Sequence, residues 1–176
     1  MSDAAREFIL KARSYLVEDY LPKIERCLAQ LSDDEVWWRA NPESNSIGNL
    51  LLHLAGNVRQ WIVSGVGGER DARVRRLEFD QREVVPREEL LGRLRQTLSE
   101  VDGVLSGLDP AGVLESRHIQ GYDVTVLEAV FHVVEHFSMH TGQIILLTKL
   151  LKGADLQFYD FSGGDPVPAW KAEAGG

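Results

Sequence analysis

The chain has 176 residues, of which 44% are apolar and 26% are charged, and its formal net charge is −8. This length is typical of one globular domain with a sizeable core. The acidic balance argues against a general nucleic-acid or anionic-membrane surface, because both partners require a basic field. The single cysteine, Cys27, excludes an internal disulfide and fits a reducing compartment. With no signal-peptide pattern and no apolar stretch long enough to span a membrane, we expect a cytoplasmic protein.

Apolar residues at helical spacing predict a first long helix over residues 3–31. Pro22 predicts a kink or break within it, because proline lacks a backbone N–H. A short helical turn is expected at residues 32–38. Ser46 is a good N-cap for the second long helix, which is expected to end at the glycine-rich residues 65–68.

A charged connection follows at residues 69–83 and is predicted to be solvated. The third long helix has Pro86 in its first turn, where the missing N–H costs little. Residues 111–124 lack helical periodicity and are predicted to form a loop. The fourth long helix opens with a capping box at residues 125–128 and ends at Gly153, a residue suited to a left-handed stop.

These elements predict an all-α domain, a four-helix bundle with extra short helices in its loops, because four amphipathic helices bury their apolar faces best against one another. The domain is expected to cover residues 1–160, followed by an irregular C-terminal tail at residues 161–176. No strand pattern and no internal repeat is found in the sequence.

Three of the five histidines lie four residues apart on the fourth helix, at His132, His136 and His140. At about 100° per residue, the angular positions of the three residues around the helix axis differ by only about 80° in total, so the three side chains lie on one face of the helix. Neutral imidazole is the commonest metal ligand in proteins, which makes a metal site the first hypothesis. His132 and His140 are separated by about 12 Å of helix rise. One ion therefore takes either His132 with His136 or His136 with His140, and a further ligand must come from another element.

His53 lies within an apolar run of the second helix, residues 47–57. A polar ring in such a setting is costly unless it is hydrogen-bonded or binds a metal. A hydrogen-bonded core histidine is the alternative interpretation. Histidines at two such positions on separate helices nevertheless favour a metal site.

Residues 132–136 also match the His-x-x-Glu-His string of one metallopeptidase class, in which both histidines bind zinc and the glutamate activates water. That class needs a downstream acidic ligand on another helix. Beyond Glu135 the only glutamate is Glu173, in the glycine-rich tail, so we disfavour this interpretation. The alternative uses His140, because Gln143 one turn later can orient a ligand or a bound water.

Two segments, residues 46–57 and 136–144, resemble the DinB/YfiT-like superfamily of bacterial four-helix metalloproteins, and the similarity extends over most of the chain. The resemblance implies a bundle of DinB/YfiT type. It also implies that one divalent ion is held by His53, His136 and His140. Nickel or zinc is favoured, with iron and manganese as alternatives, since imidazole suits several transition metals.

The superfamily includes transferases that use low-molecular-weight thiols and other members described as hydrolases, and many members are homodimers. The resemblance thus implies a metal-dependent transferase that adds a low-molecular-weight thiol to an electrophilic small molecule. The alternatives are a metal-dependent hydrolase that uses a metal-activated water, a non-catalytic metal-binding stress protein, and a purely structural helical protein. The expected partners are a small-molecule substrate and a second copy of the chain.

Further polar residues are candidates for the surroundings of the ion. His132 is expected to lie beside the ligands, held by Glu128 four residues earlier. Gln143, Asn49 and Asn57 are candidate polar groups of the pocket, with structural roles as the alternative. No catalytic residue is assigned from the sequence.

Overall fold

The structure is a computed structural model, and it describes residues 2–170 of the chain. The α-helices are α1 (Ser2–Ser14), α2 (Leu21–Leu28), α3 (Asp33–Val36), α4 (Ile47–Val58), α5 (Arg75–Asp80), α6 (Arg87–Ser106) and α7 (Val126–Lys152). The strands are β1 (Ser116–Ile119), β2 (Tyr122–Thr125), β3 (Tyr159–Asp160) and β4 (Val167–Pro168). Two π-helical segments, Tyr15–Tyr20 and Arg59–Val66, and one 3-10 helix, Pro110–Gly112, complete the elements.

Four long helical stretches form the bundle, and the predicted all-α fold is confirmed. The first stretch is α1, the segment Tyr15–Tyr20 and α2; the second is α4 with the segment Arg59–Val66; α6 and α7 are the third and fourth. Helix α4 packs against α5, α6 and α7, and α7 also packs against α1 and α2. The second and fourth stretches therefore share the core, where the side chains of both can meet. None of the described helices combines the length and hydrophobicity that a membrane crossing requires.

The predicted helix starts are formed by reciprocal capping boxes. Ser46 Oγ accepts a hydrogen bond from the Asn49 N–H at 3.2 Å, and the Asn49 side chain accepts one from the Ser46 N–H. Thr125 and Glu128 form the same pair at the start of α7. Each box satisfies two N–H groups that a helix start leaves unpaired. At the other end of α7, Gly153 adopts the predicted left-handed conformation with φ 59°.

Of the kink or break predicted near Tyr20, the break does not occur, since the chain continues as a helix through Pro22. Pro22 lies in the first turn of α2, directly after the π-helical segment Tyr15–Tyr20. The wider i→i+5 turns of that segment accommodate a residue that has no N–H and whose ring crowds the preceding turn. The irregularity is therefore a local widening of the helix.

The predicted loop at residues 111–124 contains a β-hairpin, so the expectation that the chain has no strands is wrong. Strands β1 and β2 pair antiparallel from Ser116↔Thr125 to Ile119↔Tyr122, and the turn uses positive φ at Gln120 and Gly121. Only Ile119 of this hairpin is buried. A hairpin with both faces largely exposed has no alternating apolar pattern for sequence analysis to detect.

The C-terminal segment is less irregular than expected. Strand β4 pairs antiparallel with β3, and the Ala169 N–H donates to the Phe158 carbonyl at 2.9 Å. Trp170 is 6% exposed, and the Lys23 ammonium lies 4.2 Å from the centre of its ring. Residues 161–170 thus return to the bundle. Residues 171–176 of the expected tail lie outside the described residues, and the domain division at residue 160 stays a prediction.

Candidate metal centre

Three imidazole nitrogens from two helices converge in the bundle. His53 lies on α4 and is 4% exposed, whereas His136 and His140 lie half-buried on α7. The Nε2 atom of His136 is 3.1 Å from Nε2 of His53 and 3.2 Å from Nε2 of His140. In a tetrahedral site with bonds of about 2.0–2.1 Å, two nitrogen ligands lie about 3.3 Å apart. One ligand atom from each histidine lies within 4.8 Å of the other two, so the group can hold a metal ion.

The hydrogen bonds of the rings leave lone pairs facing the point of convergence. His53 Nδ1 lies 2.9 Å from Glu78 Oε2 and 3.1 Å from Arg73 Nη2, which itself donates to Oε2. Because an ionised carboxylate can only accept, Nδ1 of His53 is assigned the hydrogen, and the His140 Nδ1–H is assigned as donor to Gln143 Oε1 at 2.7 Å. Because a neutral imidazole carries one hydrogen, Nε2 of both rings is an acceptor. The third nitrogen, Nε2 of His136, supplies at most one hydrogen for these two acceptors. A cation at the centre satisfies all three nitrogens, so the residues present fit a metal ion.

The surroundings of His136 and His140 favour the neutral form of the ring, which is the form that binds metal. Burial lowers the pKa of His136 to about 3, and the nearby charges of His140, His53, His132 and Arg73 act in the same direction. Burial also lowers the pKa of His140. Since a metal competes with protons for these nitrogens, low pKa values favour metal binding near neutral pH.

A charged network outside the bundle supports His53. Arg73 donates to both carboxylate oxygens of Glu78, from Nε at 2.7 Å and from Nη2 at 2.8 Å. Arg73 Nη1 also donates to Gln60 Oε1 at 2.8 Å, and Gln60 Nε2 donates to Asp71 Oδ2 at 2.7 Å. Burial raises the pKa of Glu78, but the hydrogen bonds from Arg73 and His53 outweigh it and lower the pKa below the ordinary value. Glu78 is therefore an ionised acceptor beside His53.

This network was not predicted from the sequence. Residues 69–83 were expected to be a solvated connection, whereas they contain α5, and Glu78 within it is 9% exposed. Glu78 lies 25 positions after His53, a separation that belongs to no ligand motif. The only local signal is the short helix-compatible run at residues 75–80. Burial of Glu78 is possible because Arg73 and His53 supply its hydrogen bonds.

His132 lies beside the three histidines but outside the group. Its ring centre is 5.4 Å from that of His136 and 4.1 Å from that of Trp61, on which it packs. Between the two pairs that the sequence allowed, the structure groups His136 with His140. Glu128 takes part in the capping box, where its Oε2 accepts hydrogen bonds from the Thr125 N–H and Oγ1, and the expected contact of Glu128 with His132 stays a prediction.

The three candidate polar groups of the pocket have different surroundings. Gln143 contacts His140, as described above. Asn49 is fully buried, and its Nδ2 donates to the backbone carbonyls of Glu78 at 2.8 Å and Gln81 at 3.2 Å. Asn49 thus fastens α5 to the start of α4. Asn57 is 5% exposed and lies one helical turn after His53.

Aromatic rings border the histidines. The ring centre of Phe79 is 4.8 Å from that of His53, and the Arg75 guanidinium lies 4.9 Å from the centre of the Phe79 ring. On the other flank, Trp61 packs on His132, and its Nε1–H donates to Gln120 Oε1 in the hairpin turn at 3.2 Å. These rings make the surroundings of the centre partly apolar, which strengthens electrostatic interactions there.

Two solved structures have a similar fold. A DinB-like protein from Bacillus cereus ATCC 10987 is 15% identical, with a TM-score of 0.66 over 84% of this chain and 93% of that one. A conserved protein from Enterococcus faecalis is also 15% identical, with a TM-score of 0.61 over 88% of this chain and 98% of that one. At this level of identity the likeness concerns the fold alone. No curated protein matches the chain.

The family model described as "Protein of unknown function (DUF1572)" matches residues 3–164. The match covers nearly all of the described bundle, including the three grouped histidines. The DinB-like fold expected from the sequence is confirmed by the structural neighbours. The chain therefore belongs to the DUF1572 family and has a DinB-like fold.

Proposed function

We propose that the protein binds one divalent transition-metal ion through His53, His136 and His140, with nickel or zinc favoured and iron or manganese as alternatives. The observation that carries this proposal is the convergence of three Nε2 atoms, two of which are acceptors by their hydrogen bonds. Three protein ligands leave a coordination position open, as catalytic sites require, whereas structural zinc sites use four.

We propose further that the centre serves the transfer of a low-molecular-weight thiol to an electrophilic small molecule. When bound, the ion would supply a Lewis acid that favours the thiolate, the nucleophilic form of a thiol. The thiol proton leaves to solvent, a sulfur–carbon bond forms, and the leaving group of the electrophile departs with its electron pair. Burial favours the neutral forms of His136 and His140, and the rings of Phe79 and Trp61 pack beside His53 and His132.

One contact favours thiol transfer over hydrolysis. In many hydrolases a side chain acts as a general base and accepts the proton of the attacking water. The carboxylate that touches the grouped histidines is Glu78, and both of its oxygens already accept hydrogen bonds from Arg73. Glu78 is therefore a poor proton acceptor, so a hydrolase at this centre would depend on the metal ion alone to ionise its water.

The metal proposal is tested by the metal content of tag-free protein, comparing the parent chain with His136→Ala. We expect about one divalent ion per parent chain and loss of the ion in the variant, because His136 is the central member of the group. The matched control is His118→Ala, since His118 is 68% exposed on β1 and should not affect metal content. A parent chain that holds no ion after incubation with nickel, zinc or manganese would contradict the proposal.

The transferase proposal is tested on the metal-loaded protein by thiol-dependent loss of the electrophile monochlorobimane. We expect turnover with bacillithiol, mycothiol or glutathione, and none with metal-depleted protein. Metal binding without turnover by any of these thiols would overturn the transferase. It would leave the hydrolase and the non-catalytic metal-binding protein as the functions to examine.

We also propose a homodimer, supported by an exposed stripe on α7 that consists of Phe131, Glu135, Met139, Gly142, Leu146, Lys149 and Leu150. The four large apolar side chains of this α7 stripe are 48–64% exposed. In a two-fold pair of antiparallel helices centred on Gly142, Glu135 of one chain lies opposite Lys149 of the other. A Cβ at Gly142 would meet nothing within 4 Å, so the two backbones can approach closely there.

The proposed setting of this activity is the cytoplasm, with a small-molecule substrate and without a nucleic-acid or membrane partner. The single cysteine, Cys27, is fully buried as a thiol, as expected of a protein from a reducing compartment. The net charge of −8 supports the exclusion of nucleic acid and of anionic membrane surfaces.

A further inference from the structure

Glu78 is held in place by three residues, two at its carboxylate and one at its backbone carbonyl. Oε2 accepts from the His53 Nδ1–H at 2.9 Å, and the Arg73 guanidinium donates to both oxygens. The side chain of Arg73 is 5% exposed, so this ion pair is largely shielded from solvent. Asn49, which lies on α4, donates from its Nδ2 to the Glu78 backbone carbonyl. Both the side chain and the backbone of Glu78 are therefore fixed relative to α4.

Gly56 provides the space that the carboxylate occupies. A Cβ at Gly56 would lie 2.1 Å from Glu78 Oε1 and 3.0 Å from Arg73 Nε, closer than atoms pack. The residue lies inside α4, where glycine destabilises a helix by about 1 kcal/mol relative to alanine. The close approach of Glu78 and Arg73 gives a physical reason for glycine at this position.

We propose that Glu78, fixed by Arg73 and given room by Gly56, is a positioning residue that holds the His53 ring with Nε2 towards the metal and so raises metal affinity. The inference rests on the proposed function, namely that metal binds at the three histidines. A carboxylate that accepts the second ring N–H of a ligand fixes its tautomer and orientation and raises its basicity. Glu78 does this for His53, whereas the carbonyl of Gln143 does so for His140.

The first test compares Glu78→Gln with the parent chain. An amide has the shape of the carboxylate but only one acceptor oxygen, so it cannot accept from His53 and from both donors of Arg73 together. We expect the affinity for Ni²⁺ or Zn²⁺, measured by competition with a chelating dye, to fall about 10- to 100-fold. The matched control is Glu83→Gln, which removes the same charge at an exposed position of the same connection and should leave the affinity unchanged.

The second test displaces the Glu78 carboxylate sterically and leaves every polar side chain unchanged. Gly56→Ala inserts a methyl group where Glu78 Oε1 lies, so we expect a similar loss of metal affinity. The matched control is Gly92→Ala on α6, where an added Cβ would meet nothing within 4 Å. If Glu78→Gln failed to fold, the pair of glycine variants would still decide the proposal.

The absorption spectrum of bound Co²⁺ distinguishes a change in the orientation of the His53 ring from a general loss of protein stability. Co²⁺ bound to the parent chain and to each folded variant gives visible absorption bands that depend on the orientation and basicity of its ligands. We expect shifted bands in Glu78→Gln and Gly56→Ala and parental bands in both controls. Equal affinity and identical bands in all chains would overturn the inference while metal binding stands. A parent chain without metal would overturn the inference and the proposed function together.

Discussion

The stripe of histidines on α7 contains one residue that the proposed centre does not use. His140 has its Nε2 at 3.2 Å from that of His136, whereas the His132 ring packs on Trp61. Both residues are four positions from His136, so their sequence context is symmetric. Their different roles come from the position of His53, which lies beside His136 and His140.

This difference gives a prediction for two substitutions of the same kind. His140→Ala should abolish stoichiometric metal binding, because only two of three ligands remain. His132→Ala should retain about one ion per chain, with at most a modest change in affinity. Metal analysis of both dialysed variants measures this. Loss of metal from His132→Ala with retention in His140→Ala would instead assign the ligand pair to His132 and His136.

Cys27 on α2 is a structural thiol. It is fully buried, and desolvation raises its pKa from an ordinary value of 9.0 to about 11, while Thr148 and Lys149 act in the opposite direction. Because the folded protein favours the neutral thiol, this burial contributes stability that is complete below about pH 9. The contribution is lost as the pH rises from about 9 towards 11, where the unfolded chain releases the proton first.

The corresponding prediction concerns the free energy of unfolding in urea. Between about pH 8 and about pH 10, the parent chain should lose about 1 kcal/mol more than Cys27→Ala, which has no thiol to ionise. Because other groups titrate equally in both chains, the difference between them isolates the thiol. Parallel pH profiles of the two chains would show that Cys27 ionises normally in the folded protein.

At the scale of elements, the helix starts were predictable because their signals are local. Ser46, Thr125 and Gly153 act through residues within four positions, so the sequence alone contains both partners of each interaction. The hairpin β1–β2 and helix α5 were missed for the opposite reason. Hairpin packing depends on contacts such as that of Ile119 with Gly65, where a Cβ would lie 2.5 Å from Ile119 Cδ1.

The cap of α7 gives a prediction that separates stability from metal binding. Thr125→Ala removes the hydroxyl that accepts from the Glu128 N–H, and it should lower the free energy of unfolding by about 1 kcal/mol. Glu128→Ala should also destabilise the protein while leaving its metal affinity unchanged, because Glu128 Oε2 is bound in the cap. Urea unfolding and dye competition measure the two effects. Reduced affinity in a folded Glu128→Ala would indicate a role for Glu128 at the centre.

At the scale of the whole molecule, the α7 stripe predicts the oligomeric state. Light scattering at micromolar concentration should give the mass of a dimer for the parent chain and of a monomer for Leu146→Glu, because the charge would be buried at the interface. The matched control is Leu114→Glu, since Leu114 is 65% exposed but lies outside the stripe, and this variant should remain dimeric. A monomeric parent chain would contradict the homodimer.

Local sequence patterns were enough to predict the four long helices, the alignment of three histidines on one helix face and the apolar setting of His53. Each of these depends on the helical repeat and on neighbouring residues, so no knowledge of chain packing was required. The resemblance of residues 46–57 and 136–144 to the DinB/YfiT-like superfamily also indicated the DinB-like fold.

Which two histidines of α7 meet His53, and which groups support them, depends on how the helices pack. The packing of α4 against α7 brings His53 to His136 and His140, 83 and 87 positions further along the chain. Helix α5 folds back over α4 and brings Glu78 and Arg73 to the outer side of His53. Contacts between residues so far apart follow from the packing of helices, which local sequence patterns do not specify.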